Sequence, residues 1–302
     1  MSGDAVPSTW SVIGTSVRGA AHVRAELANQ DAIAWEPRSG TGTEVVLAVS
    51  DGHGGSASFR SERGARLAVK AALEVAQDVL GYPTGQARSL SLVKQAMEVE
   101  VPRRIVQRWR EEVQGDLSDR PITTEERARA DVGTKRRPSS GGDDFIAYGA
   151  TLITVIATDA FLAICQLGDG DALTVDRDGS VVRLFPENVS LGDETTSLCL
   201  PDAWSHARSY FRASFGHRPA LVVASTDGFS NSFVDDAGFL DAVSRLWPTI
   251  IRRGLDDTAR DLEGALHQMS ALGSGDDITL GIVCRLQALK EQSLAVISGG
   301  MP

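Results

Sequence analysis

The chain has 302 residues and a formal net charge of -10, with 42% hydrophobic and 23% charged residues. That balance excludes a disordered or low-complexity protein and suits one large folded domain or two ordinary ones. The acidic surplus excludes a dedicated nucleic-acid binder, since no basic excess exists to displace counterions, but leaves open an enzyme that meets phosphate at a metal centre.

The three cysteines, Cys165, Cys199 and Cys284, are scattered, and two fall within apolar strand-like runs. Free thiols in a reducing compartment are expected. No basic segment followed by an apolar core opens the chain, and no apolar run reaches the ~20 residues of a membrane span. The expectation is a cytoplasmic protein with no membrane partner.

Along the chain, extended character is predicted for Trp10–Thr15, Ala32–Trp35 and Val45–Ser50. The last of these runs into Asp51-Gly52-His53-Gly54-Gly55. Ser56–Leu80 is Ala-rich with apolar residues at helical spacing and is read as one long helix, ended by Gly81-Tyr82-Pro83. A second helix is expected over Ser89–Val113, with a kink or break at Pro102. Gln114–Asp144 is charged and poor in large apolar residues, and is read as an exposed insertion. Strands are predicted at Ala150–Ala157, Phe161–Leu167, Ala172–Val175 and Val181–Phe185, the last two joined by the turn Asp176-Arg177-Asp178-Gly179. A polar loop or flap occupies about 188–207. Strands resume at Arg208–Ala213 and Ala220–Ser225, followed by helices over Asp235–Arg252 and Asp256–Ser270 and a last strand, Ile278–Cys284. The tail from Gln287 is weakly patterned. This order lacks regular βαβ alternation and fits an α+β fold, two mainly antiparallel sheets packed face to face with helices outside. One domain spanning 1–302 is expected, with its core over about 10–285.

Four aspartates sit at strand ends in glycine-rich turns: Asp51, Asp169 in Gly168-Asp169-Gly170-Asp171, Asp227 in Thr226-Asp227-Gly228, and Asp276 in Gly275-Asp276-Asp277. A fifth, Asp31 in Asn29-Gln30-Asp31, precedes an apolar run. Hard cations such as Mg²⁺ and Mn²⁺ take oxygen ligands, and a pair of them ~3.5–4 Å apart can share a carboxylate. His53 is the side chain whose ordinary pKa suits proton transfer near neutrality. Each residue also has a plainer reading: Asp51 as a helix cap, Asp169, Asp227 and Asp276 as turn formers, His53 as a loop histidine.

Taken together and in this order, Asn29-Gln30-Asp31, Asp51-Gly52-His53-Gly54-Gly55, Gly149-Ala150-Thr151, Gly168-Asp169, Thr226-Asp227-Gly228 and Asp276-Asp277-Ile278-Thr279 resemble the metal-dependent, type-2C Ser/Thr protein phosphatases. The resemblance spans about Trp10 to Arg285. It implies a four-layer α-β-β-α sandwich and hydrolysis of phosphoserine or phosphothreonine by a metal-bridging hydroxide, with two or three Mn²⁺ or Mg²⁺ ions. By the same resemblance Asp51 bridges two metals, the Gly52 carbonyl binds one, Asp227 and Asp276 complete the first site, Asp31 holds metal-bound water, Asp169 serves a looser third ion, and His53 protonates the leaving oxygen. A phosphorylated protein substrate and a cognate Ser/Thr kinase are implied partners in a bacterial signalling setting.

Two departures stand out. The family's phosphate-binding Arg precedes the Asp31 position by five residues, and here that place holds Glu26; Arg24, seven residues before Asp31, is the candidate anchor, with Arg18 and His22 as alternatives. The segment Ser16–His22 and the flap residues Glu194-Thr195-Thr196-Ser197 are closer to a divergent bacterial branch. Glu26 therefore motivates a second expectation, a catalytically weak member used as a regulatory binding module. A third is a structural Ca²⁺- or Mg²⁺-binding sandwich without hydrolysis.

Overall fold

The computed structural model describes residues 9–81, 87–131, 143–185, 196–214 and 218–299. Part of the expected insertion (132–142), part of the expected flap (188–195), and Tyr82-Pro83 and His217 lie outside the described residues.

Two antiparallel sheets form the centre. One has the order β3 (Thr41–Gly42), β1 (Trp10–Val17), β11 (Ile278–Arg285), β10 (Leu221–Ser225), β7 (Asp171–Val175), β8 (Val181–Arg183). The other has the order β2 (Ala32–Glu36), β4 (Val45–Ser50), β5 (Leu152–Ala157), β6 (Phe161–Leu167), β9 (Arg208–Ala213). Strand alternation sorts the side chains into layers. Val45, Leu47 and Val49 of β4 meet Val222 and Ala224 of β10 in the core between the sheets. Val46 and Ala48 turn outward under α2 (Ser61–Leu80) and α4 (Val101–Asp119). On the far side Leu221 and Val223 pack beneath α7 (Asp236–Ser244), α8 (Leu246–Arg253) and α9 (Leu255–Leu272). The result is the expected four-layer α-β-β-α sandwich.

Why these segments adopt these forms is mostly local. α2 buries an Ala-rich face (Ala65, Ala68, Ala72, Ala76), so it approaches β4 closely. Its Gly64 leaves no room for a side chain, because a Cβ there would stand 1.8 Å from the Tyr148 carbonyl oxygen. The expected second helix is two pieces, α3 (Ala87–Gln95) and α4, joined by a π-helical turn over Ala96–Glu100. Pro102 lacks the N–H that a continuous helix would use, and the extra residue per turn before it absorbs the mismatch. α4 runs on to Asp119, past the expected end at Val113, anchored by the fully buried Trp109, whose indole donates to the Gly64 carbonyl at 3.0 Å.

Other departures are short. Helices α1 (Ala20–Arg24), α5 (Thr124–Asp131), α6 (Asp227–Ser230) and α10 (Leu286–Gly299) form in segments that have turn-forming residues or no clear apolar period. The helix expected over Asp235–Arg252 is divided at Arg245 into α7 and α8. Among the described residues no helix is long and apolar enough to cross a membrane. All three cysteines are free thiols.

Candidate functional site

Antiparallel pairing brings the aspartates to one end of the sandwich. Ala32 of β2 lies opposite Ser50 of β4, so Asp31, just before one strand, and Asp51, just after the other, are neighbours. In the facing sheet Ser225 of β10 pairs with both Leu280 of β11 and Asp171 of β7. Asp227, Asp276 and the Gly168–Gly170 turn therefore share an edge. Strands that run toward this end leave a carboxylate behind them, and strands that run away carry one before them.

Asp31 joins the two sheets. Its Oδ2 accepts hydrogen bonds from Thr226 Oγ1 at 2.8 Å and Thr279 Oγ1 at 2.7 Å, both on the opposite sheet. Burial, reinforced by the charges of Asp277 and Asp276, pushes its carboxyl up to about 8, against the opposing effect of the two hydroxyls. Asp51 is held well above the ordinary carboxylate range by its low-dielectric surroundings, by the charges of Asp31, Asp227 and Asp276, and by a hydrogen bond with Asp227. Asp227 is raised as well, by burial first, with Asp169 and Asp276 adding to it and the bond from Asp51 opposing.

Carboxylates placed together in this way repel one another, and burial adds to the cost of keeping them all charged. A hard divalent cation fits the same place: the donors are all oxygen, the net charge is strongly negative, and several are desolvated. The backbone fits too. A Cβ on Gly52 would stand 2.6 Å from the Gln30 carbonyl oxygen and 2.8 Å from that of Ser61, so only glycine permits the turn after Asp51. As the side chains stand, no three His, Cys, Asp or Glu residues among the described residues form a ready coordination shell.

His53 is held by its backbone N–H, which donates to the Gly149 carbonyl at 3.0 Å, and its ring lies where a Gly149 Cβ would come within 2.7 Å of Cδ2. Burial lowers its pKa, and the charge of Asp169 opposes that. Asp169 is exposed in its turn after Gly168, at φ +106°, and its charge also acts on Asp227 and Arg208. Asp171 does other work: it is buried at the start of β7, with its Oδ1 3.2 Å from Arg183 Nη1.

Helix α1 brings two further groups to the cluster. Ala21 N donates to the Gly275 carbonyl at 2.8 Å and Ala20 N to Ser270 Oγ at 2.9 Å. His22 then faces two consecutive carboxylates, with Nδ1 2.8 Å from Asp277 Oδ2 and Nε2 3.9 Å from Asp276 Oδ1. Buried Asp277 also accepts from the backbone N–H groups of Gly19 and Gln30, each at 2.6 Å. Arg24 is exposed, and its guanidinium lies 4.0 Å from where a Cβ on Gly275 would stand. Arg18 donates to the His22 carbonyl at 3.1 Å, which makes it a brace of α1. Glu26 closes α1 in the left-handed region at φ +56° and is exposed. Sequence reasoning missed Thr226 and Thr279 as site residues and offered His22 only as an alternative phosphate anchor, not as a partner of the carboxylates. The two threonines stood inside quoted motifs, whereas His22 had no ligand spacing to signal it. A cleft of about 570 Å³ between α4 and Pro201–Trp204 is lined by none of these aspartates.

Solved structures share this architecture. The catalytic domain of the Ser/Thr protein phosphatase PstP, in complex with two manganese ions, aligns with a TM-score of 0.54 at 16% identity, over 92% of this chain and 98% of that one. The Mycobacterium tuberculosis Ser/Thr phosphatase PstP/Ppp gives 0.53 at 14% identity, over 91% and 98%. The S. agalactiae Ser/Thr phosphatase gives 0.53 at 16% identity, over 91% and 99%. At such identity these show the fold alone. No curated protein matches the chain by sequence. The family model for protein phosphatase 2C matches residues 18–267. By that match, over most of its length, the chain belongs to the protein phosphatase 2C family.

Proposed function

We propose that the chain is a Mn²⁺- or Mg²⁺-dependent phosphatase acting on phosphoserine and phosphothreonine in proteins. The observation that carries this reading is the placing of Asp31, Asp51 and Asp227 at one end of the sandwich, three carboxylates whose pKa values burial and mutual charge raise, with the charge of Asp276 acting on all three. Family membership and the manganese bound by one neighbour of the same fold support it. Asp51, Gly52, Asp227 and Asp276 would hold two ions, with Asp169 available to a third and Asp31 behind them. When bound, the cations supply Lewis acidity toward water and toward the phosphoryl oxygens.

The chain's own residues do the rest. Asp31, fixed by two threonine hydroxyls, holds its carboxyl in one orientation behind Asp51. His53, kept against Gly149, is the candidate proton donor for the leaving seryl or threonyl oxygen. Arg24, mounted on α1 beside the Gly275–Asp276 turn, is the candidate anchor for the phosphate. Phosphorylated proteins made by a Ser/Thr kinase are the matching substrates, and the free thiols suit a reducing, cytoplasmic setting.

The test is hydrolysis of an aryl phosphate and a phosphothreonine peptide, with and without Mn²⁺, by the wild type and Asp51→Asn. The expected result is Mn²⁺-dependent turnover of both substrates that Asp51→Asn abolishes. Wild type without such turnover would sink the enzymatic reading. Turnover untouched by Asp51→Asn would sink the site, and cleavage of the aryl phosphate alone would sink the substrate class.

A further inference from the structure

Helix α5 stands outside the sandwich and is tied to it by the buried Arg60 and by an exposed ion pair of Arg127 with Asp144 at 2.8 Å. All five N–H groups of the Arg60 guanidinium are used. Nε and Nη2 donate to the two carboxylate oxygens of Glu126 at 2.9 and 2.8 Å. Nη1 donates to the Arg120 carbonyl at 2.6 Å and the Tyr148 hydroxyl at 2.7 Å, and Nη2 to the Pro121 carbonyl at 3.1 Å. Every bond but the one to Tyr148 therefore ends on residues 120–126.

Glu126 has a second task. Its Oε2 accepts the Thr123 N–H at 2.8 Å, while Thr123 Oγ1 accepts the Glu126 N–H at 3.2 Å. This reciprocal cap starts α5, so the first turn of the helix and the arginine share one carboxylate.

At its backbone end Arg60 closes the segment that carries His53. Arg60 N donates to the Ala147 carbonyl at 2.7 Å, Ser58 Oγ to the Ile146 carbonyl at 2.9 Å, and His53 N to the Gly149 carbonyl at 3.0 Å. Residues 53–60 are thus laid along residues 146–149, and the tight fit of the His53 ring over Gly149 leaves it little freedom to slide.

We infer that Glu126 is a positioning residue: through Arg60 it holds residues 53–60 against residues 146–149 and so fixes where His53 stands. The charged segment after α4 is then a brace of the site. The consequence for turnover rests on the proposed role of His53; the brace does not. A residue that merely stabilised the fold would change the melting temperature and exchange throughout the protein, whereas a brace changes one segment.

The experiment is amide hydrogen exchange and steady-state kinetics on the full chain loaded with Mn²⁺, comparing wild type, Glu126→Ala and the milder Glu126→Gln. Exchange within 53–60 should quicken at least tenfold in Glu126→Ala and less in Glu126→Gln, with the sheets unchanged. The kcat on a phosphothreonine peptide should fall about tenfold, with KM within twofold. Unchanged exchange at 53–60 in both variants overturns the brace, and so does faster exchange spread evenly over the sheets. Faster exchange confined to 53–60 with unchanged kcat keeps the brace and removes His53 from the chemistry. If Glu126→Ala does not fold, Glu126→Gln decides by the same readings.

Discussion

Stripped of divalent cations by a chelator, the protein should lose stability as pH rises, and Asp31 should account for a definable share of the loss. In the folded chain, burial and the charges of Asp277 and Asp276 push its carboxyl up to about 8. In the unfolded chain the same group titrates near 3.9. Between those values the folded state holds a proton that the unfolded state has released, so this contribution is complete below about pH 4 and is lost as pH climbs toward 8. The slope is about 1.4 kcal/mol per pH unit, or about 3 kcal/mol between pH 5 and 7.5, reduced where water enters the opened site. Asp31→Asn keeps an oxygen acceptor for the Thr226 and Thr279 hydroxyls but cannot titrate. Urea unfolding in EDTA at pH 5 and 7.5 should therefore show a loss about 2 kcal/mol smaller in the variant than in the wild type. Excess Mn²⁺ should reverse the advantage, stabilising the wild type more. Equal losses for the two proteins in EDTA would refute the description of Asp31 as a buried acid repelled by its neighbours.

His22→Ala should weaken Mn²⁺ binding about tenfold by calorimetry, because the imidazole that faces Asp276 and Asp277 is gone; an unchanged binding isotherm would remove His22 from the site. Gly149→Ala would bring a methyl within 2.7 Å of His53 Cδ2, and kcat should fall about tenfold with Mn²⁺ affinity preserved. Normal kcat in that variant would show that the His53 ring can move without consequence. Arg24→Ala should raise KM for the phosphopeptide more than it lowers kcat, and an unaltered KM would disqualify it as the phosphate anchor.

Much of the fold was legible because the strands are short apolar runs between turn-forming residues. Phe161–Leu167 and Arg208–Ala213 form as predicted, and α2 and α9 follow their apolar period with small shifts at the ends. The five aspartates were legible as candidates by their place at strand ends. Their convergence was not, since it depends on pairing between segments far apart in sequence, such as Asp31 with Thr226 and Thr279. Helix α1 escaped notice because five residues set no period, and with it went the contact of His22 with Asp276 and Asp277. The helix over 124–131 was hidden for a different reason: its charged face is held by ion pairs, Glu126 with Arg60 and Arg127 with Asp144, which leave no apolar stripe to read. Glu26 looked like a charge in the phosphate anchor's place. In the structure it is the residue that ends α1.

Strands β1 and β11 lie side by side near the middle of their sheet, with Trp10 opposite Arg285. Strand β1 therefore gains its long neighbour only from a segment far away in sequence. Contacts this distant in sequence make folding slow, and an unpaired β1 is an open template for other chains in the meantime. Asp276 arrives with that same final strand. The pairing of β1 with β11 is thus also the step that brings Asp276 to the edge it shares with Asp227.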